Sequence, residues 1–396
     1  MKKKVDPVVD EAIETLNMKD GPSRRKLIHG AGLFSATAAA SALIAACTSS
    51  SSSSATSTAS ASATAAAAGS FPKTPAWQFW FVNHVYTNTF FVPTQYGFAD
   101  AAALLDIPVP KWEGSATSTV SQMVGAINDA VAAKAAGIAT TVITSTGFTT
   151  PISAAMTAGI PVITYNADGA VNANGTSDIG SNRLCYVGQA LYTSGQQMGE
   201  RIKDLIPSPS DIVIFIATPG TGNIQPREDG AVAILKPLGY TIHEVATGAL
   251  TSAELGAMKA YLIGNKGIKG AFAVDGGSTQ FLGQALSETG LAGKIPSGGF
   301  DTTPLTLTNI EKGLTDFTIY QDPYLQGFLP TMYMYMYNLS GGTLGPSDTD
   351  TGLTFITKSN AAPYTKTSRF QGSTTKELYI PRPSGAISNP PATTDS

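Results

Sequence analysis

Histidine is nearly missing from this chain: His29, His84 and His243 are the whole supply in 396 residues. A His-rich metal centre or a Ser-His-Asp nucleophile therefore has little to draw on, and no metal or cofactor is expected. Cysteine is scarcer still, with Cys47 and Cys185 alone. One of the two falls in a leader, so the mature domain has no internal disulfide, and Cys185 reads as a small buried hydrophobe. Charge is sparse as well, at 13% of residues, with a net charge of -3 and a pI near 5.7. Nucleic-acid binding usually needs a basic face, which this balance does not supply. What the chain does have is 42% hydrophobic residues, enough for a substantial core divided between two domains.

The first 47 residues read as a leader. S-R-R-K-L-I (Ser23 to Ile28) carries the twin-arginine export signal at Arg24 and Arg25, followed by a mildly apolar run from Gly30 to Ala46. That run is rich in Ala, Gly and Ser, a poor permanent membrane anchor. It ends in L-I-A-A-C (Leu43 to Cys47), which resembles the lipobox of bacterial lipoproteins. The resemblance implies cleavage before Cys47 and lipid attachment to its sulfur. Residues 48–70 are almost entirely Ser, Thr and Ala, a composition that buries no core and reads as a flexible tether. Together these describe a domain held by lipid at the outer face of the cytoplasmic membrane.

From Ala76 onward, strand-like apolar runs alternate with helix-like ones. Strands are expected at 77–82, 140–144, 160–165, 211–217, 241–246 and 270–275, and helices at 98–105, 120–137, 152–159, 194–206, 230–239, 254–263 and 279–290. Such alternation implies parallel sheets with right-handed crossovers, an α/β protein of doubly wound lobes. Ligands in such sheets sit beyond the carboxyl ends of the strands. The residues there are Asn88, Phe90 and Phe91; Thr144 and Ser145; Asn166 and Asp168; and, in the second half, Arg227, Asp275, Asp301 and Gln321. Phe90 and Phe91 are adjacent, and on a strand they would point to opposite faces, so a turn into a helix suits them better. None of the set looks like a nucleophile with its base. Planar carboxylate, amide and guanidinium groups bridge neighbouring hydroxyls, and aromatic rings cover C–H faces, so the set fits a small neutral polyol.

Six motifs carry a family resemblance, in order, across roughly residues 77 to 325. N-T-F-F (88 to 91) resembles the N-P-F-F of ribose-binding protein and its relatives. I-P-V-I-T-Y-N (160 to 166), G-T-G-N-I-Q-P-R-E-D-G (220 to 230), F-A-V-D (272 to 275), G-F-D (299 to 301) and T-I-Y-Q-D-P (318 to 323) are similar to that family's later motifs. The resemblance implies the type I periplasmic sugar-binding fold, two α/β lobes joined by three strands and closing around ligand. Its lobes would comprise 71–188 with 322–350 and 189–321 with 351–380, ahead of a disordered tail at 381–396. Carried over position by position, Asn88 would bond sugar hydroxyls, Phe90 and Phe91 would stack on or flank the ring, and Arg227 and Asp275 would contact it from the second lobe. Asp301 would accept bidentately and Gln321 would sit at the hinge.

Departures from the family are specific. Asn166-Ala167 stands where ribose-binding relatives have Asp-Arg, and Thr144 where they have Asn. Asp168, two positions on, is a candidate replacement. Plainer roles stay open: Arg227 as a surface partner of Glu228 or Asp229, Asp301 as a helix cap, Asn166 as a turn residue. M-Y-M-Y-M-Y (332 to 337) reads as core on a helix after the third hinge crossing. The resulting expectation is a monomeric sugar-binding receptor that performs no chemistry and serves the permease and ATPase subunits of an ABC importer. A sugar sensor for signalling or chemotaxis and a carbohydrate-active enzyme are the alternatives.

Overall fold

The computed structural model describes residues 71–171, 177–178, 182–248, 251–366 and 368–371. Arg24, Arg25, Cys47, the 48–70 tether and the 381–396 tail lie outside the described residues. Residues 71–75, without regular secondary structure, belong to a separate unit from the domain that begins at Ala76.

Strand β1 (Phe79–Asn83) is buried along its whole length, as a strand covered by helices on both faces must be. The chain continues through α1 (Val92–Leu105), β2 (Lys111–Gly114), α2 (Val120–Ala132), β3 (Gly137–Val142), α3 (Thr149–Thr157) and β4 (Val162–Asp168). A small hairpin, β5 (Ala170–Val171) and β6 (Ser177–Asp178), precedes β7 (Tyr186–Gly188). The second set of elements is α4 (Leu191–Leu205), β8 (Asp211–Ile216), α5 (Gln225–Leu235), β9 (Thr241–Ala246), α6 (Thr251–Gly264), β10 (Gly270–Ala273), α7 (Gly276–Glu288), β11 (Ser297–Phe300), α8 (Pro304–Glu311) and β12 (Phe317–Tyr320). Helix α9 (Leu325–Leu339), β13 (Thr349–Asp350), β14 (Thr354–Thr357) and α10 (Ser368–Gln371) follow.

These strands form two six-stranded sheets, ordered β13-β7-β4-β3-β1-β2 and β14-β12-β11-β10-β8-β9. Every pairing in both is parallel except β12 with the edge strand β14. Apolar clusters cover both faces of each sheet, around Ile127, Ile138 and Val162 and around Phe81, Phe98 and Ile163 in the first lobe. The second lobe's clusters centre on Ile214 and Phe272 and on Phe215 and Leu282. The chain passes between sheets three times, after β7, after β12 and after β13.

Several elements differ from the sequence expectation for identifiable reasons. Helix α1 starts at Val92, well before 98, because Pro93 is tolerated in a first turn. Helix α2 stops at Ala132, not 137, where Lys134 turns left-handed at φ 54° and the chain enters β3. Helix α5 begins at Gln225, which puts Arg227 in its first turn. The Met/Tyr run lies in α9, after the second crossing instead of the third. Residues 368–371, expected in the second lobe, lie against α1 of the first. There Arg369 pairs with Asp100 and stacks 5.0 Å from the Tyr96 ring centre, while Phe370 packs edge-on against Tyr324 at 4.9 Å.

Two glycine pairs set the backbone around the cleft. A Cβ on Gly195 of α4 would overlap the Arg227 carbonyl oxygen, and one on Gly230 of α5 would overlap the Tyr192 carbonyl oxygen. Gly97 and Gly327 allow the same close approach between α1 and the start of α9. Since rigid backbone has nowhere to yield, Gly195→Ala should destabilise the protein by about 2 kcal/mol or more. A urea melt of that variant that overlays the wild type would contradict this packing.

Candidate functional site

Both sheets present their carboxyl ends to a shared cleft, and the residues leaving those ends supply its walls. After β1 the chain makes a 3-10 turn, Thr89–Phe91, capped by Asn88, whose Oδ1 accepts the Phe90 N–H at 2.9 Å. Asn88 is exposed. The turn separates the two rings. Phe91 is 2% exposed and packs edge-on against His84 at 5.4 Å. Phe90 is half-buried, and with Thr89 and Pro93 it faces Thr302, Thr303 and Pro304 of the other lobe across a narrow gap. His84 bonds Thr141 through Nδ1 (3.1 Å), and burial lowers its pKa to about 4, so it is a neutral support for Phe91.

Thr144 is half-buried, with its hydroxyl donated to the Thr146 carbonyl at 2.6 Å, and Ser145 is exposed. The same loop meets the second lobe directly: Gly222 N–H donates to the Ile143 carbonyl at 2.9 Å. Asn166 and Asp168, two residues apart at the end of β4, go to different places. Asn166 is 8% exposed and reaches the hinge. Asp168 is held by Arg183, Nε to Oδ1 at 2.9 Å and Nη2 to Oδ2 at 2.5 Å, and by the Thr164 hydroxyl at 2.5 Å. With Tyr186, Gln189, Tyr192 and Asp348 it lines a cavity of about 320 Å³, and Asn166 is not among that cavity's walls. The β-bulge between β3 and β4 accompanies this divergence.

In the second lobe, Arg227 is 2% exposed. Nη1 donates to the Val274 carbonyl and Nη2 to Gln189 Oε1, both at 3.0 Å, and the guanidinium lies 4.3 Å from the Phe300 ring centre. Its Nε is buried without a hydrogen-bond partner among the described residues. The surface pairing with Glu228 or Asp229 is therefore not where this arginine goes. Asp275 caps α7: Oδ1 accepts Ser278 N–H (2.8 Å), and Oδ2 accepts Ala217 N–H (2.8 Å) and the Ser278 hydroxyl (3.0 Å). The cap of α8 is Thr303, so Asp301 is left for another purpose. Its backbone is left-handed, φ 74°, as is that of Asn166 at φ 60°. Such conformations cost of order 1 kcal/mol and cluster at functional sites.

Gln321 joins the two. Its Nε2 donates to Asp301 Oδ1 at 2.6 Å, and its Oε1 accepts from Gln326 Nε2 at 3.1 Å. Gln326, fully buried at the start of α9, accepts Asn166 Nδ2 at 3.0 Å. Gln326 and Gln189 escaped the sequence reading because glutamine on a helix or in a loop ordinarily reads as surface. The one available signal was that Gln326 stands in a helix made mostly of apolar and aromatic residues.

Electrostatics follow burial. Desolvation lowers Arg227, opposed by the charge of Asp301, and raises Asp301, opposed by Arg227 and Gln321. Asp275 is likewise raised by burial, against its bonds to Ser278 and Ala217. Two glutamates beside this set are shifted in the same direction. Burial pushes Glu228 up to about 8, with Glu244 adding to it, and pushes Glu254 up to about 8, with Asp275 adding to it. Glu254 fits because Gly277 has no side chain.

Residues 79–342 match the family model described as "Periplasmic binding protein domain". The chain belongs to the periplasmic binding protein family. This binding protein is 48% identical over 313 residues to the xylose/arabinose-binding protein XylF of Sulfolobus acidocaldarius, an overlap covering 78% of this chain and 77% of that one. Among solved structures, the fold resembles a solute-binding protein of Burkholderia graminis in complex with D-arabinose (TM-score 0.66, 23% identity, 74% of this chain and 100% of that one). It also resembles AraP, an arabinose-binding protein of Geobacillus stearothermophilus (TM-score 0.59, 23% identity, 73% and 99%). The two-lobed architecture of this binding protein is thus that of the type I periplasmic binding fold.

The two protonated glutamates give the binding protein a pH signature. Their folded pKa of about 8 lies above the ordinary 4.5, so the folded state keeps protons that the unfolded state releases. Their stabilising share is full below the unfolded value and is lost as pH rises through about 8. The double variant Glu228→Gln, Glu254→Gln should match the wild type near pH 5 and melt about 5 °C higher near pH 8.5. Parallel melting curves of the two proteins across that range would contradict the assignment.

Proposed function

We propose that this protein is the extracytoplasmic sugar-binding component of an ABC importer and that its ligand is a pentose. One observation carries the reading: 48% identity over 313 residues with a protein named for xylose and arabinose. The chemistry of the cleft supports it. Phe90 offers a flat apolar face. Asp301 and Asn166 offer acceptors, and Arg227 Nε is a buried donor without a partner among the described residues. Hydroxyls, which donate and accept, satisfy both kinds of group, and C–H faces suit the ring.

Binding without chemistry is the consistent reading. Glycoside hydrolysis needs two carboxylates with separate roles, and both oxygens of Asp275 are committed to Ala217 and Ser278. The two lobes, built on 71–188 with 322–350 and on 189–321 with β14, close on the sugar, and the closed form is what a permease recognises. Twin-arginine export through Arg24 and Arg25, a lipid on Cys47 and the 48–70 tether hold a monomer at the outer face of the membrane, where it serves permease and ATPase subunits.

A thermal-shift titration with D-xylose, L-arabinose, D-ribose and D-glucose tests this. At about 100 times its Kd a ligand contributes roughly 2.7 kcal/mol, a shift of several degrees. Saturable shifts with xylose or arabinose are expected; none with any sugar would overturn the reading. The adjacent rings should separate in the same assay. Phe91→Ala should cost about 3 kcal/mol or more of stability, while Phe90→Ala should weaken sugar binding about tenfold with little change in Tm.

A further inference from the structure

An ionised carboxylate accepts hydrogen bonds and donates none, and this fixes a chain of amides. Because Asp301 Oδ1 takes Gln321 Nε2 at 2.6 Å, Gln321 must turn its Oε1 away. There Gln326 Nε2 meets it at 3.1 Å. Gln326 must in turn face Asn166 with Oε1, and Asn166 Nδ2 lies at 3.0 Å. Neighbours on the Nε2 side of Gln326 impose the same orientation independently. They are the Gln321 carbonyl and Thr351 Oγ1, each at 3.1 Å, and Thr351 spends its own proton on that carbonyl at 2.7 Å. Asn166 is left with Oδ1, which has no hydrogen-bond partner among the described residues.

We propose that Gln326 is a positioning residue that sets the direction of this four-residue hydrogen-bond chain, so that Asn166 offers the ligand an acceptor and does the work of a carboxylate. The inference rests on the cleft being a sugar site, but the chain itself stands on geometry alone. It explains how an asparagine suffices where ribose-binding relatives have an aspartate. With its amide nitrogen held at the hinge, the side chain meets a ligand hydroxyl only through its oxygen, and that hydroxyl must be the donor. It also couples ligand contact to the hinge, since Gln321 and Thr351 lie on two of the three crossings.

Reciprocal exchange tests it. Asn166→Asp keeps an acceptor for the ligand but sets it against Gln326 Oε1. Gln326→Lys keeps a donor toward Gln321 but aims another at Asn166, whose amide must then turn its nitrogen to the ligand. The double variant pairs donor with acceptor again. Each single change should weaken D-xylose binding about 30-fold and lower the ligand-free Tm by about 4 °C, while the double variant should return to within about 5-fold and about 2 °C of wild type. Additive losses in Tm overturn the chain. Restored Tm with xylose affinity still lost overturns the claim that the chain sets what Asn166 offers. Restored Tm in a protein whose wild type takes no sugar leaves the chain standing and removes the functional reading instead. Should Gln326→Lys fail to fold, Gln326→Met replaces it: with Oε1 gone, the Tm loss caused by Asn166→Asp should at least halve, and an undiminished loss overturns the chain.

Discussion

The carboxylate of Asp301 can only accept hydrogen bonds, and it is buried where two lobes meet. That constraint organises its surroundings. Gln321 gives it an amide hydrogen across 2.6 Å, Arg227 supplies positive charge, and its backbone is left-handed at φ 74°. A buried acceptor without donors would cost several kcal/mol. The groups that answer its charge are themselves anchored, Gln321 by its bond with Gln326 and the Arg227 guanidinium by Val274 and Gln189. These groups are thus held by the protein itself, and preorganisation of this kind lowers the entropy that the proposed sugar binding has to overcome.

Placement of these donors depends on the scaffold in ways that reach far from the cleft. Arg227 sits where it does because Gly195 and Gly230 let α4 and α5 touch backbone to backbone. Gln326 sits at the hinge because Gly97 and Gly327 do the same for α1 and α9. The segment at Arg369, docked on Asp100 and Tyr96, adds a further link from the end of the second lobe back to the first.

The α/β class was legible because strands buried on both faces must be apolar runs: D-I-V-I-F-I at β8 and G-A-F-A at β10 fall where the sequence puts them. K-W-E-G at β2 was not, being a short, half-exposed edge strand with no apolar run. Of the candidate site, Asp301, Arg227, Gln321 and Asn166 stand out in the sequence because each follows a strand or a recognisable motif, and the structure brings them together where the lobes meet. Which of their atoms remained for a ligand could not be read from the sequence, since Asn166 is oriented by a residue 160 positions away. Asp168 illustrates the converse. It stands two residues from Asn166, yet across the shift in register between β3 and β4 its carboxylate pairs with Arg183.

The proposed function requires a sugar held in the inter-lobe cleft by Asp301, Arg227 and Asn166 against Phe90. A crystal structure of the protein grown with saturating D-xylose addresses it most directly. One ring is expected against Phe90, with hydroxyls within about 3 Å of an Asp301 oxygen, of Arg227 Nε and of Asn166 Oδ1. A sugar seated instead in the cavity lined by Asp168, Tyr186 and Asp348, or a cleft that stays empty of sugar, would contradict it.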